Sequence, residues 1–153
     1  MRPNLRCLSV ALALAVVAGC SRRPAASEDA ASAASTMPEL RGTYWKLVAL
    51  GAMPITAADT AREPHIILQA DTSRVNGSGG CNRMFGGYQL NGNSLTFSAI
   101  ASTKMACPSG METETAFLPA LQRVARWRIT GQQLELSDSA GALVARFDAK
   151  PAR

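Results

Sequence analysis

The chain has 153 residues with a formal net charge of +5 at pH 7; 47% of its residues are hydrophobic and 18% are charged. This length suits one domain once the N-terminal segment is set aside. Loss of Arg2 and Arg6 with that segment leaves 14 basic against 11 acidic residues, a net charge of +3 (16 − 2 − 11). In a periplasmic protein this surplus indicates solubility and weak attraction to anionic lipid, and it argues against nucleic-acid binding.

The first twenty residues have the features of a bacterial lipoprotein signal. Arg2 and Arg6 precede an apolar run over residues 7–17, which is too short to span a bilayer permanently. The run ends in Val-Ala-Gly-Cys at residues 17–20, typical of a lipobox. It predicts a signal peptide over 1–19 and lipidation of Cys20, whose acyl chains would anchor the protein. The alternative is an ordinary secretory signal in which Cys20 is incidental. Because Ser21 and not Asp follows Cys20, we expect the outer membrane.

Residues 20–38 are predicted to be a lipidated, flexible tether. They are rich in Ala and Ser and contain few large apolar side chains, so they cannot offset the entropy of ordering. The globular domain is expected over 39–149.

Two of the four cysteines are assigned by the signal, since Cys7 is removed with it and Cys20 carries lipid. Cys81 and Cys107 remain in an oxidising compartment and are expected to form one disulfide. Closing that loop is worth about 3.5 kcal/mol in the chain-entropy model.

Short alternating runs predict strands along most of the domain. Residues 43–50, TYWKLVAL, place Thr43, Trp45, Leu47 and Ala49 on one face, and residues 65–68 form a second apolar run. Residues 87–97 predict a hairpin with a type I′ turn at Asn91-Gly92, which would put Tyr88 opposite Leu95. Residues 126–136 predict another, with Gly131-Gln132 as its turn and Trp127, Ile129, Leu134 and Leu136 pointing inward. A last strand over 143–148 would bury Leu143, Ala145 and Phe147.

One helix interrupts this pattern. Ser109 and Glu112 have the spacing of a capping box, and Phe117, Leu121 and Val124 form one apolar stripe, with Pro119 expected to kink or tighten the helix. The fold class is therefore mainly β (α+β): a small antiparallel barrel-like domain of about 7–8 strands with one covering helix.

Several motifs occur together in a recognisable order. They are Trp45-x-Leu47, Gly80-Cys81-Asn82, Gly87-Tyr88, Thr103-x-Met105-x-Cys107-Pro108, a helix from Glu112 to Leu121 and a closing hairpin. This order resembles the META domain family, including its HslJ-like members, over roughly residues 40–148. The resemblance implies a small β-barrel-like domain in envelope lipoproteins, linked to heat response and novobiocin tolerance, with no established catalytic residues. The fold also resembles lipid-binding pilot lipoproteins, which is fold-level analogy alone.

Residues 77–88, GSGGCNRMFGGY, raise the question of a ligand loop or a reactive thiol. The spacing fits no phosphate loop, and a strand follows with no helix N-terminus to hold an anion. We expect the glycines to permit a bulge or tight bend that Asn82 fixes through local backbone bonds. A Cys81–His65 dyad is the less favoured alternative, and Cys81, Cys107 and His65 are too few for a zinc module.

The remaining charged residues predict surface roles. Glu112 and Glu114 suit a helix start, and Arg123, Arg126 and Arg128 form a basic cluster that is a candidate contact for anionic lipid or an acidic partner. No nucleophile, base and orienting group combine, so we expect no enzyme, metal or cofactor. The leading hypothesis is a lipid-anchored envelope protein that acts by binding in stress or antibiotic tolerance, with another envelope protein as a candidate partner. The alternative is a carrier of a small apolar ligand or lipid inside the barrel.

Overall fold

A computed structural model describes residues 37–56 and 61–150. The predicted signal peptide, Cys20 and most of the predicted tether lie outside these residues. No helix in the described ranges is long and apolar enough to cross a membrane.

The described residues form one curved antiparallel sheet and one helix. The elements in chain order are β1 (Tyr44–Leu50), β2 (Met53–Pro54), β3 (His65–Leu68), β4 (Arg74–Ser78), β5 (Arg83–Asn91), β6 (Ser94–Ser102), α1 (Met111–Gln122), β7 (Arg126–Thr130), β8 (Gln133–Ser137) and β9 (Leu143–Lys150). Neighbours pair in the order β2-β1-β3-β4-β5-β6-β7-β8-β9, and β1 also pairs with β9. The sheet therefore closes into a ring, and the prediction of a barrel-like α+β domain is confirmed.

The ring is irregular because three pairings contain an extra residue. The register shifts between Leu47 and Ala49 on β1, between Phe85 and Gly87 on β5, and between Leu136 and Ser137 on β8. Such bulges bend a strand and increase its twist. The seam between β6 and β7 is the shortest, with one ladder pair, Ser94↔Arg126. The chain enters α1 after β6 and returns to β7, and the helix packs against β6, β9 and β1.

The first hairpin forms, but its turn lies one residue later than predicted. Asn91 pairs with Ser94, so the two-residue loop is Gly92-Asn93, and Tyr88 faces Phe97 where Leu95 was expected. Gly92 has φ 55° and Asn93 has no positive φ, the pattern of a type II′ turn. The later turn places Leu90 opposite Leu95 and Tyr88 opposite Phe97, whereas the predicted turn would have placed Leu90 opposite Asn93. Apolar pairing across the strands therefore favours this register over the type I′ turn at Asn91-Gly92.

The remaining strands follow the prediction closely. β7 and β8 turn at Gly131-Gln132, since Thr130 pairs with Gln133. Trp45 and Leu47 are fully buried in β1, as expected. In β9 the extra residue changes the face of the first positions, so Val144 is buried with Ala145 and Phe147 while Leu143 is half-buried.

The helix is present, but its capping box is not. Its N-cap residue is Gly110, in the left-handed conformation at φ 87°, and no side chain caps it. Ser109 therefore lies outside the helix and Glu112 has no capping bond. Pro119 lies inside the helix, and Phe117 and Leu121 of the predicted apolar stripe are fully buried. Val124, the third residue of that stripe, is also buried but lies beyond the end of the helix.

The interior of the ring is filled by the chain's own side chains. Trp45, Phe117 and Phe147 are the largest fully buried side chains and belong to one continuous apolar cluster with the inward residues of the strands. The Phe117 and Phe147 rings lie 6.0 Å apart between centroids at a tilt of 52°. The helix thus closes one side of a packed core.

Candidate functional site

The glycine stretch lies at a corner held by the Cys81–Cys107 disulfide. Residues 79–82 connect β4 to β5, and the disulfide links them to the segment before α1 with a Cα–Cα distance of 5.9 Å. We call residues 79–82, residues 102–110 and Glu114 the disulfide corner. As predicted, Cys81 and Cys107 form one disulfide.

Two glycines at this corner make room for the helix. A Cβ atom on Gly79 would lie 2.5 Å from Cγ of Glu114, and one on Gly110 would lie 2.3 Å from the carbonyl oxygen of Gly80. No side chain larger than hydrogen fits either position without movement. The expectation that no helix N-terminus lies near the stretch is therefore wrong, because tertiary packing brings the start of α1 against Gly80.

Asn82 is the centre of the hydrogen bonds at the corner and is buried. Its Oδ1 accepts from the backbone N–H of Met105 at 2.8 Å and from Oγ1 of Thr103 at 3.0 Å, and its Nδ2 donates to the carbonyl of Met105 at 3.2 Å. These partners are more than twenty residues away in the chain. Asn82 does fix the bend, but through the segment after β6 and not through the local backbone bonds that were expected.

Glu114 provides the negative charge of the disulfide corner. Its Oε2 accepts from the backbone N–H of Asn82 at 2.6 Å, and its Oε1 accepts from Nδ2 of Asn82 at 3.1 Å and from Oγ of Ser102 at 3.2 Å. The residue is 7% exposed. The amide that a phosphate would use in this glycine loop is already bonded to the chain's own carboxylate. The glycine loop therefore has a structural role, and the N–H group of Asn82 is not available to an external anion.

The motif residues behind the family resemblance have structural roles at the corner or in the core. Trp45 donates its indole N–H to the carbonyl of Leu40 at 2.9 Å, and Leu47 is fully buried. Gly80 has φ 117° and accepts from the backbone N–H of Arg62 at 2.8 Å. Thr103 and Met105 bond Asn82, but the Met105 side chain is 56% exposed. The corner uses the backbone of Met105, and nothing in the structure explains its exposed side chain.

The structure does not form the Cys81–His65 dyad, because Cys81 is bonded to Cys107. The His65 ring instead stacks on Tyr44, with centroids 4.2 Å apart, and its Nδ1 donates to the carbonyl of Glu63 at 2.9 Å. Within residues 37–56 and 61–150, no three His, Cys, Asp or Glu side chains cluster to hold a metal ion.

Glu63 is the centre of a separate charged cluster beside β1 and β9. Its Oε2 lies 2.7 Å from Nζ of Lys150 and 3.4 Å from Nζ of Lys46, and its Oε1 accepts from the Tyr44 hydroxyl at 3.0 Å. Burial by itself raises the pKa of Glu63. The hydrogen bonds from Lys150 and Tyr44 and the two ammonium charges outweigh burial and hold this pKa below its ordinary value. The cluster ties together the strands that close the ring.

Two of the three predicted surface arginines lie in one groove on the outer face of β7, β8 and β9. Arg126 and Arg128 line it together with Arg146 and Glu135, and its volume is about 610 Å³. Arg123 is the C-cap residue of α1 and does not line the groove. We call the surface formed by Arg126, Arg128, Glu135 and Arg146 the basic groove.

Glu135 neutralises only part of the basic groove. Its Oε2 lies 2.6 Å from a terminal nitrogen of Arg128, and its Oε1 lies 3.2 Å from one of Arg146. The hydrogen bond from Arg128 lowers the pKa of Glu135 most; burial opposes this change, and Arg146 adds to it. The carboxylate is therefore shared between two guanidinium groups, and the groove keeps a positive surplus.

Sequence reasoning missed Glu114, Ser102 and Arg146. Glu114 has the sequence signature of an exposed first-turn glutamate, and only its contact with Asn82 distinguishes it from Glu112. Arg146 lies twenty residues after Arg126, but the β8–β9 ladder pairs it with Glu135. The alternation of β9 was a usable signal for Arg146, since it placed that residue on the outer face.

The comparisons with known proteins agree with the fold. A family model described as META domain matches residues 38–151. A protein from Burkholderia xenovorans, solved by NMR, is 27% identical with a TM-score of 0.61 over 74% of this chain and 85% of that chain. A second NMR structure is 23% identical with a TM-score of 0.54, covering 72% and 95% of the two chains. A DUF4847 family protein from Bacteroides vulgatus ATCC 8482 is 15% identical with a TM-score of 0.51, covering 74% and 96%. The last two show likeness of fold alone. The search of curated proteins found no match.

Proposed function

The chain belongs to the META domain family, and from this premise we propose that it is a non-enzymatic, lipid-anchored envelope protein that binds a partner through its outer surface. The family is not a known enzyme family. The residues that resemble its motif hold the disulfide corner and the core, and none of them forms a nucleophile with a base. The role that follows is recognition by a rigid domain displayed at a membrane surface.

The observation that carries this proposal over a ligand carrier is the packed interior. A carrier would need a cavity of roughly 300–1,000 Å³ lined by inward side chains. Here the positions that would line it belong to Trp45, Leu47, Phe117 and Phe147, each fully buried against its neighbours. A ligand would have to displace side chains that stabilise the fold by burial. Binding at the outer surface requires no such loss.

The proposal of a lipid anchor is based on the Val-Ala-Gly-Cys sequence at residues 17–20. Cleavage before Cys20 followed by acylation would leave the domain on a tether of residues 21–38. We propose the periplasmic face of the outer membrane as the location, because Ser21 and not Asp follows the lipidated residue. The intact mass of the mature chain, extracted from membranes, tests this proposal directly. Acyl chains on an N-terminal Cys20 support it, and a soluble chain without them refutes it.

The proposed physiological role is tolerance of envelope stress or antibiotics. Wild type and Cys20→Ala are each expressed in a deletion strain, and growth is compared at elevated temperature and with novobiocin. We expect wild type to restore growth and Cys20→Ala to be released from membranes and to fail. Equal complementation by both forms would show that anchoring is not needed for the role.

A matched control separates loss of the anchor from loss of the fold. Cys7→Ala changes a cysteine inside the predicted signal that the mature chain lacks. It should be acylated and should complement like wild type. If Cys7→Ala failed as Cys20→Ala does, the assignment of the cleavage site would be wrong.

A further inference from the structure

We propose that the basic groove binds phosphate headgroups of anionic phospholipids, so that the domain docks against the membrane that carries its anchor. This inference rests on the proposed function, since it takes the domain to be held near a bilayer. The occupant is the phosphodiester of an anionic lipid such as phosphatidylglycerol.

The first observation is an uncompensated charge. Three arginines line the groove, and Glu135 is the one carboxylate among the residues that line it. Within the described residues, no ion pair or hydrogen bond engages the exposed Arg126 side chain. Asp138 lies next to Ser137 at the rim, and its Oδ1 accepts from the backbone N–H groups of Ala140 and Ala142 at 2.9 Å each. Asp148, two residues beyond Arg146 on β9, accepts from Nε2 of Gln133 at 3.0 Å and pairs with Lys46 in the β1–β9 ladder. The residues that line the groove therefore carry a net charge of +2, from three arginines and one glutamate.

The second observation is the spacing of the guanidinium groups. Arg126 and Arg128 are two residues apart on β7, which places their Cα atoms about 7 Å apart on the same face. Arg146 joins them across the sheet, because Arg128, Glu135 and Arg146 are successive partners on β7, β8 and β9. Planar guanidinium groups bind phosphate oxygens in pairs. A headgroup beside Arg126 would contact the one arginine of the basic groove that forms no ion pair with a carboxylate of the described residues.

The third observation is the position of the groove relative to the entry of the chain. The described chain begins at Met37, bridges Leu68 of β3 at Arg41 and starts β1 at Tyr44, which pairs with Lys150 at the end of β9. Arg146 lies four residues back along β9, about 13 Å away. A chain with the length and composition predicted for the tether spans roughly 20–25 Å. The groove is therefore within reach of a bilayer that holds Cys20, and the high effective concentration allows a weak site to be occupied.

The test uses the mature chain with Cys20→Ser, which removes acylation and leaves all described residues intact. Its partition into vesicles of phosphatidylcholine is compared with that into vesicles containing roughly one-third phosphatidylglycerol, at about 0.1 M and about 1 M NaCl. We expect binding to the anionic vesicles alone, and its loss at high salt. Equal partition into both vesicles, or binding that survives high salt, would overturn the proposal. Because this chain is not acylated, the result does not depend on whether Cys20 is lipidated.

Matched variants test the groove itself. One basic residue near an anionic surface changes binding roughly fivefold, so Arg126→Gln should weaken the partition by about that factor. Arg123→Gln removes the same charge three residues earlier, outside the groove, and should have little effect. Glu135→Gln removes the neutralising carboxylate and should strengthen the partition by a similar factor. This gain should disappear at about 1 M NaCl, whereas partition of a misfolded chain through exposed apolar surface would not. Equal losses in Arg123→Gln and Arg126→Gln, or no gain in Glu135→Gln, would contradict the assignment.

The source of the anion is tested by competition. Inorganic phosphate and an acidic peptide are added to vesicle-bound protein at matched ionic strength. We expect neither to release it, because a bilayer presents many headgroups to one groove. Release by the peptide alone would assign the groove to an acidic protein partner. Release by phosphate would assign it to a soluble anion. Either result would refute the lipid.

Discussion

Replacing Glu114 by alanine removes the acceptor of three hydrogen bonds at the disulfide corner. The carboxylate is 7% exposed, and its donors are the backbone N–H of Asn82, Nδ2 of Asn82 and the hydroxyl of Ser102. The wild-type corner is fully satisfied, since every buried side-chain nitrogen or oxygen in the described residues has a partner. The variant leaves buried donors facing an apolar methyl group.

The loss of stability depends on whether each of the three donors finds another hydrogen-bond acceptor. Ser102 is half-buried and can turn to water, and Nδ2 of Asn82 keeps the carbonyl of Met105. The buried N–H of Asn82 has no other acceptor at the corner, and an unsatisfied buried donor costs about 1–3 kcal/mol. Loss of a charge-assisted bond adds to this cost, and removal of a buried charge reduces it. We expect Glu114→Ala to lower the free energy of unfolding by about 2–3 kcal/mol.

The matched control is Glu112→Ala, which removes an exposed glutamate from the same first turn of α1. Both variants lose the same charge near the helix N-terminus, an effect of about 0.3–1 kcal/mol. Urea unfolding of the oxidised proteins measures the difference, which corresponds to a midpoint shift of roughly 10 °C in a thermal melt of a domain this size. If the two variants agreed within about 0.5 kcal/mol, the assigned role of Glu114 would be wrong.

Three further changes test other parts of the structure. Gly79→Ala should cost about 1–3 kcal/mol by overpacking, because its Cβ would lie 2.5 Å from Cγ of Glu114; the penalty should largely disappear in a Glu114→Ala background, and a double-mutant cycle would reveal a failure of this coupling. Cys81→Ser with Cys107→Ser should cost about 3.5 kcal/mol in chemical unfolding, and an unchanged midpoint would show that the bond constrains little. Glu63→Gln should destabilise by about 0.5–1 kcal/mol at neutral pH. Because the folded-state pKa of Glu63 is depressed, its contribution is present above the ordinary value of 4.5 and is lost as pH falls through the folded pKa; the two unfolding curves should converge in acid, and a constant gap would refute the charge network.

The strands could be predicted from the sequence because alternation of apolar residues and turn residues are local signals. Alternation over residues 43–50 reports one buried face, and Gly131-Gln132 suits a two-residue turn, so both assignments are confirmed. Where two local signals compete, the outcome depends on the core. The turn at Gly92-Asn93 is an example, because the pairing of Leu90 with Leu95 and of Tyr88 with Phe97 outweighs the preference of Asn91-Gly92 for a type I′ turn.

Ser109 and Glu112 show the converse error. A capping box is a reliable local pattern. Where the start of a helix packs against another loop, however, steric fit decides which residue takes the N-cap position. Gly110 is the N-cap residue of α1, and its backbone lies against the Gly80 carbonyl, where no side chain fits. Local spacing contains no information about that contact, since Gly80 and Gly110 are thirty residues apart.

By itself, the sequence determined the β-rich fold class, the single helix, the pairing of Cys81 with Cys107 and the family resemblance, because periodicity, composition and motif order are written along the chain. Only the tertiary structure decided that Glu114 is buried against Asn82, that the interior is full, and that Arg146 joins Arg126 and Arg128 while Arg123 does not. The physical reason is that burial and charge balance at a point depend on which distant segments meet there. Closing the sheet into a ring brings those segments together.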